Sequence, residues 1–332
     1  MNINLYNKSF LTLLDFSAEE IYYLLDLSHK LKARRKLGIQ GNSLQGKHIA
    51  LLFEKTSTRT RCAFEIGVIE EGGYTSFIDI SNTQFGKKES VADSAKVLAS
   101  FYQAIQFRGY SQKTVQELAY YSQIPVYNGL TDEDHPTQIL ADLMTIQENL
   151  DKPLSEVKIA YIGDTRNNMC NAWMYGAAKL GMHFVAYGPE ELAPNPESLS
   201  KAKSCGALSG AIIEISSNAD SLLGADVIYT DVWVSMGEEG QVSNRAQLLK
   251  DYQVTMEMLK STQNPNVLFM HCLPAFHDND TKFVKDAHNT FGVDIREVSD
   301  EVFHSHHSVV FNEAENRLHT IKAILVATLS KQ

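Results

Sequence analysis

Five consecutive residues, Ser57-Thr58-Arg59-Thr60-Arg61, place three hydroxyls and two guanidiniums directly after an apolar run, Ile49-Ala50-Leu51-Leu52-Phe53. A strand that ends there and opens a helix, read here from Cys62 to Glu70, makes an anion trap. The first backbone N–H groups of a helix lack intrahelical partners, the helix dipole is positive at that end, and the arginines add charge-assisted donors. Phosphate is the expected guest. The commoner use of such residues is plainer: Ser57 or Thr58 caps the helix and both arginines are solvated. The rest of the chain has to decide between the two.

Four other segments carry chemistry. Phe107-Arg108-Gly109-Tyr110 offers an isolated guanidinium after a short apolar stretch. His135-Pro136-Thr137-Gln138 offers an imidazole, a hydroxyl and an amide just before an amphipathic helix expected from about Ile139. Asp231-Val232-Trp233-Val234-Ser235-Met236-Gly237 offers a carboxylate and a loop ending in glycine, and His271-Cys272-Leu273-Pro274 a thiol with exposed carbonyls in a proline-bent turn.

These residues need a scaffold, and the hydrophobic pattern supplies one. Strands are expected at 48–53, 74–80 and 104–107, with helices to about 70 and over 91–102 between them. Short, often β-branched apolar runs recur at 157–162, 183–187, 211–215, 227–230 and 267–270, separated by helical lengths of chain. That alternation predicts an α/β protein with two doubly wound parallel-sheet domains. The boundary is expected at Asp151-Lys152-Pro153, giving domains over 1–150 and 151–312, with a closing helix over about 313–332 completing the first. Open parallel sheets bind ligands beyond the carboxyl ends of their strands. Ser57, Arg108, Asp164 with Asn168, Asp231 and His271-Cys272 all follow such strands, so one active site in the cleft between the two domains is the expectation.

In this order and spacing the segments closely resemble the aspartate/ornithine carbamoyltransferases. Ser-Thr-Arg-Thr-Arg and His-Pro-Thr-Gln match that superfamily's carbamoyl phosphate site; Asp231 to Gly237 and His-Cys-Leu-Pro match its ornithine branch, and the fit runs over essentially the whole chain. The resemblance implies that Ser57, Thr58, Arg59 and Thr60 hold the phosphate and that Arg108 sits between phosphate and carbonyl oxygen. It implies that His135 and Gln138 contact the carbamoyl group, that Arg317 reaches the site from the last helix, and that Cys272 and Leu273 lie beside the attacking amine. Asn168, Asp231, Ser235 and Met236 are the matching ornithine positions, and Gln84 matches a loop that enters a neighbouring subunit's site. The implied partners are carbamoyl phosphate and L-ornithine, and the implied assembly is a homotrimer or a group of trimers sharing active sites. Arg108, His135 and Cys272 become the implied catalytic residues, and no cofactor or metal is implied. A sister reaction on putrescine, or a non-catalytic ligand-binding subunit of the same fold, are the alternatives. Putrescine lacks the α-amino acid head that Asp231 and the Ser235-Met236 backbone would serve.

Composition excludes other classes. The 332 residues are 44% hydrophobic and 21% charged, as in globular proteins, and a formal charge of −10 at pH 7 disfavours nucleic acid. Four widely spaced cysteines without a CxxC pair suit a reducing compartment, and no apolar run reaches membrane-spanning length, so a cytoplasmic, membrane-free protein is expected. Gly41 to His48 only approximates a P-loop, because its glycines precede a strand; a turn is expected there. Gly163-Asp164-Thr165-Arg166-Asn167-Asn168 lacks the bare glycines of a dinucleotide fingerprint. His304-Ser305-His306-His307 has no obvious carboxylate or cysteine partner and is expected to be a loop without metal. Gly237-Glu238-Glu239-Gly240 is expected to hinge a closing loop.

Overall fold

The computed structural model describes residues 3–234 and 239–330. Ser235, Met236 and the first two residues of the expected hinge, Gly237 and Glu238, therefore lie outside the described residues. The elements in chain order begin with α1 (Ala18–Lys36), β1 (His48–Phe53), α2 (Arg59–Ile69), β2 (Tyr74–Asp79), α3 (Val91–Phe101), β3 (Ala104–Arg108), α4 (Gln112–Ser122), β4 (Val126–Leu130) and α5 (Pro136–Asn149). They continue with β5 (Lys158–Ile162), α6 (Asn168–Leu180), β6 (His183–Tyr187), α7 (Pro196–Ser209), β7 (Ile212–Ser216), β8 (Val227–Thr230), α8 (Val242–Leu249), α9 (Met256–Ser261) and β9 (Leu268–His271). The last helices are α10 (Lys282–Phe291), α11 (Asp300–Phe303) and α12 (Val310–Leu329).

Two compact units divide the chain, one made of Met1–Ile146 with Ala314–Gln332 and the other of Gln147–Glu313. The first holds a parallel sheet in the order β2-β1-β3-β4, the second a parallel sheet in the order β7-β6-β5-β8-β9. Parallel neighbours cannot be joined by hairpins, so helical crossovers are obligatory, and their sequences read as continuous apolar runs because water reaches neither face. Accordingly β3 is buried throughout and β1 from its second residue on. In the first unit Ala50, Leu52, Ile105, Phe107 and Val126 pack with Phe85 and Leu118; in the second, Ala160, Ile162, Ile228 and Phe269 pack with Val302 and Phe303.

Each sheet reverses direction once. In the first, the chain moves from β1 to one side and then to β3 on the other; in the second, from β5 outward and then to β8. The carboxyl ends of β1 and β3, and of β5 and β8, therefore flank a crevice in each sheet, the place where such folds bind ligands. Residues 41 to 48 form a turn into β1, with Gly46 at φ +73°, a left-handed conformation that costs glycine nothing. Among the described residues no helix is long and apolar enough to cross a membrane.

Candidate active site

In the first unit the polar loop after β1 faces the end of β3. α2 starts three residues earlier than its hydrophobic pattern suggests, at Arg59, so the Ser-Thr-Arg-Thr-Arg stretch supplies both the cap and the first helical turn. Thr58 occupies the cap position but its side chain makes no capping bond; Ser57 does that work, its Oγ accepting from Thr60 N–H at 3.2 Å. Thr60 is buried, and its Oγ1 receives Arg317 Nη2 at 3.1 Å and Arg108 Nη1 at 3.4 Å. Arg317 also donates to Gln138 Oε1 at 2.5 Å, and Gln138 Nε2 donates to Asp142 Oδ1 at 2.8 Å. One hydroxyl thus gathers guanidiniums from β3 and α12, and α5 anchors the second of them.

Arg61 departs from the anion-trap expectation. Its Nε donates to Glu65 at 2.9 Å and its guanidinium lies 3.8 Å over the Phe77 ring, so its charge is spent within α2 and on β2. Arg59, the other guanidinium of the stretch, is half-buried.

His135 is buried just before α5, whose first residue is Pro136, a placement that loses no helical hydrogen bond. Burial, then the positive charges of Arg317, Arg108 and Arg59, push the imidazole well below its usual value. The ring is neutral at neutral pH and has one N–H to donate. An unfolded histidine takes up a proton near 6.5 and this one does not, so its contribution to stability is present above that pH and is lost as pH falls below it. We expect the His135 ring carbon resonances to stay constant from pH 7.5 to 5.5; a titration midpoint near 6.5 would contradict the burial argument.

Gln84 sits in a tight turn in which the N–H groups of Lys87, Lys88 and Glu89 all donate to its carbonyl. Phe85 plugs into the core of the first unit while the Gln84 side chain is exposed on it.

In the second unit the ends of β5, β8 and β9 converge. Asp231 follows β8; its Oδ1 accepts from Val232 N–H at 2.8 Å and from the Cys272 thiol at 3.2 Å, and its Oδ2 from Asn167 Nδ2 at 3.0 Å. Burial pushes the Asp231 carboxyl up, opposed by the nearby His271, the thiol and the Val232 N–H. Asn168, half-buried, is the first residue of α6, and Asn167 caps that helix through its Oδ1 on Met169 N–H at 2.7 Å. The sequence points to Asn168 and not to Asn167, which also donates to Asp231; an asparagine at the N-cap is the signal for it.

His271 ends β9 with no solvent exposure. Its Nδ1 accepts from Leu273 N–H at 2.9 Å and its Nε2 pairs with Glu297 Oε1 at 3.1 Å, so both ring nitrogens are engaged away from the thiol. Burial pushes the Glu297 carboxyl up to about 8, against the pull of the Phe276 N–H that it accepts at 2.6 Å. The turn it braces holds Leu273 at φ +57°, a left-handed conformation that costs a branched residue about 1–2 kcal/mol. Asp164 accepts from Arg166 and pairs with buried Arg245 at 2.8 Å, tying β5's exit loop to α8. Neither Glu297 nor Arg245 has a local motif, and only tertiary contact reveals them.

The chain is thus an α/β protein of two open parallel sheets, one with guanidiniums gathered beside a helix start at its crevice and the other with a carboxylate–thiol pair at its own. Residues 8–148 match the aspartate/ornithine carbamoyltransferase carbamoyl-P binding domain and residues 155–328 the Asp/Orn binding domain of the same family. The chain belongs to the aspartate/ornithine carbamoyltransferase family. It is 60% identical, over all of both chains, to "Ornithine carbamoyltransferase, catabolic" of Clostridium perfringens (strain 13 / Type A), and 52% identical, again over all of both, to the ornithine carbamoyltransferase of Limosilactobacillus reuteri (strain DSM 20016). Its fold is similar to the ornithine carbamoyltransferase structure from Pyrococcus furiosus, with a TM-score of 0.89, 37% identity and 98% of each chain covered.

Proposed function

We propose that the chain transfers the carbamoyl group of carbamoyl phosphate to the δ-amine of L-ornithine, giving L-citrulline and phosphate. The full-length identity of 60% to a relative named ornithine carbamoyltransferase carries this reading. That relative's name includes "catabolic", and the same site serves the reverse phosphorolysis, since a catalyst does not set the equilibrium.

Carbamoyl phosphate is assigned to the first unit. The N–H groups at the start of α2, with Ser57, Thr58, Arg59 and Thr60, hold the phosphate, whose charge grows as the C–O bond breaks. Arg108 and Arg317, both on Thr60, have fixed directions before substrate arrives, and pre-aimed donors need no reorganisation in the transition state. The amine attacks the carbamoyl carbon, the carbonyl oxygen becomes an oxyanion, and Arg108, Thr58 and the neutral His135 N–H donate to it. Gln138, held by Asp142 and Arg317, turns toward the carbamoyl NH2, and the Leu273 and Cys272 turn offers it carbonyl acceptors.

Ornithine is assigned to the second unit. Asp231 grips the α-ammonium with Asn168, and Ser235 and Met236 complete the amino-acid end. Asp231 is ill suited to strip the reacting amine, whose proton is held far more tightly than a carboxylate's. A covalent role for Cys272 with His271 as base is disfavoured, because the His271 nitrogens serve Leu273 and Glu297 while the thiol donates to Asp231. Trapping a carbamoylated Cys272 without ornithine would overturn direct attack.

An alkyl ammonium has a pKa near ~10.4, so only about one molecule in a thousand carries a free amine at neutrality. The expected kcat/KM for ornithine therefore climbs about tenfold per pH unit between 7 and 9; a flat profile counts against attack by the free amine. The test of substrate class is a panel of ornithine, putrescine and aspartate. Turnover of ornithine alone fits the reading, and equal turnover of putrescine would leave Asp231 without its assigned task.

The assembly is assigned as a homotrimer in the cytoplasm, with Gln84 reaching a neighbouring copy's site. Support comes from the exposed Gln84 turn and from the exposed apolar side chains of Ile66, Ile69, Tyr74 and Phe77 on neighbouring α2 and β2.

A further inference from the structure

The histidine run at 304–307 has a carboxylate partner after all. Asp300 opens α11, His304 caps the end of that helix four residues on, and His277 arrives from the segment after Cys272-Leu273-Pro274. His277 Nδ1 lies 2.7 Å from Asp300 Oδ1, and His304 Nε2 lies 3.4 Å from the same oxygen. The sequence hid this group because its third member is 23 residues from Asp300 in the chain.

We propose that His277, Asp300 and His304 form a site for a divalent transition-metal ion of the Zn²⁺ class, separate from the carbamoyl-transfer residues. One ligand atom from each lies within 4.8 Å of the other two. Tetrahedral ligands bound at about 2.1 Å stand about 3.4 Å apart. The Asp300–His304 separation already has that value. The shorter His277–Asp300 contact is a hydrogen bond whose proton the metal displaces, and the His277–His304 edge closes by side-chain rotation. Two imidazoles and one carboxylate suit Zn²⁺, Co²⁺, Ni²⁺ or Cu²⁺; Mg²⁺ and Ca²⁺ prefer all-oxygen sets. A water takes the fourth position, since Asp300 and His304 are well exposed.

The ligand set is also held in place. His277 stacks flat on Phe303, centroids 3.9 Å apart and planes 6° from parallel, and Phe303 is buried in the core of the second unit. His304 meets His277 edge-on at 5.3 Å. The Asp278 carboxylate, 3.8 Å from His277 Nδ1, adds negative charge beside the site. A bound ion would clamp the loop that carries Cys272 and Leu273 onto α11.

Among the described residues the second unit holds one competing group, Asp231, His271 and Cys272, whose ligand atoms also lie close enough together for a metal, so the test disables it. In the full-length Cys272→Ala protein, stripped with EDTA, titration calorimetry with Zn²⁺ is expected to show one ion per chain and a Tm that rises to saturation, with no response to Mg²⁺. His277→Ala with His304→Ala in the same background should weaken Zn²⁺ by about 100-fold or more. Asp300→Asn, which keeps the fold's hydrogen bonds, should weaken it at least about tenfold. Co²⁺ in the Cys272→Ala protein should give the visible absorption of a tetrahedral site, and His304→Ala should abolish it. No binding in Cys272→Ala, or affinity unchanged by the histidine and Asp300 variants, overturns the proposal.

Discussion

Arg108→Ala is expected to lower kcat by about 10²–10³-fold while the protein stays folded, the cost of deleting one pre-aimed donor to an oxyanion. Arg108 closes β3, the strand across the crevice from β1, and its Nη1 meets the Thr60 hydroxyl that Arg317 also holds. Alanine leaves the Arg317–Thr60 bond in place, so helix α2 keeps its orientation and carbamoyl phosphate keeps its other donors. The loss should fall more on kcat than on KM for carbamoyl phosphate, because the interaction strengthens only as charge moves onto the oxygen. Steady-state kinetics with circular dichroism checks it. A kcat within about twofold of wild type would remove Arg108 from the chemistry.

Asp231→Asn is the second large effect. Asparagine keeps an oxygen for the Val232 N–H and the shape of the site, but it loses the charge that the α-ammonium needs. A charge-assisted hydrogen bond contributes about 1.5–3 kcal/mol, so kcat/KM for ornithine should fall by about 10²-fold. The dissociation constant of carbamoyl phosphate, assigned to the other unit, should hardly change. Equal losses for both substrates would mean that Asp231 supports structure and not recognition.

How far these residues could be read from the sequence depended on whether the physics was local. β6 and β8 fall where their apolar runs lie, because a strand buried on both faces has a continuous pattern. β4 was not legible: Asn128 and Gly129 interrupt its apolar residues. Gly129 is there for a tertiary reason, since a Cβ would stand 2.3 Å from Gln106 Nε2 and 3.1 Å from Thr60 Cγ2. The start of α2 is not legible in the apolar pattern because its first turn, Arg59 to Arg61, is polar, even though Thr60 is buried there.

The candidate site divides the same way. Residues at strand ends, such as Arg108, Asp231 and His271, could be placed by reading where each apolar run stops. Partners that only the fold brings near could not. Glu297 reaches His271 across 26 residues, Arg317 reaches Thr60 across 257, and His277 reaches Asp300 across 23. Arg61 reads in the sequence as a second anion ligand, and in the fold Glu65 and the Phe77 ring engage it.

The central claim is ornithine-dependent carbamoyl transfer, and the direct measurement is product stoichiometry. Purified protein mixed with carbamoyl phosphate and L-ornithine should release citrulline and phosphate in a 1:1 ratio, with phosphate release falling to the uncatalysed rate when ornithine is left out. Phosphate release that is indifferent to ornithine, or the absence of citrulline, would contradict it.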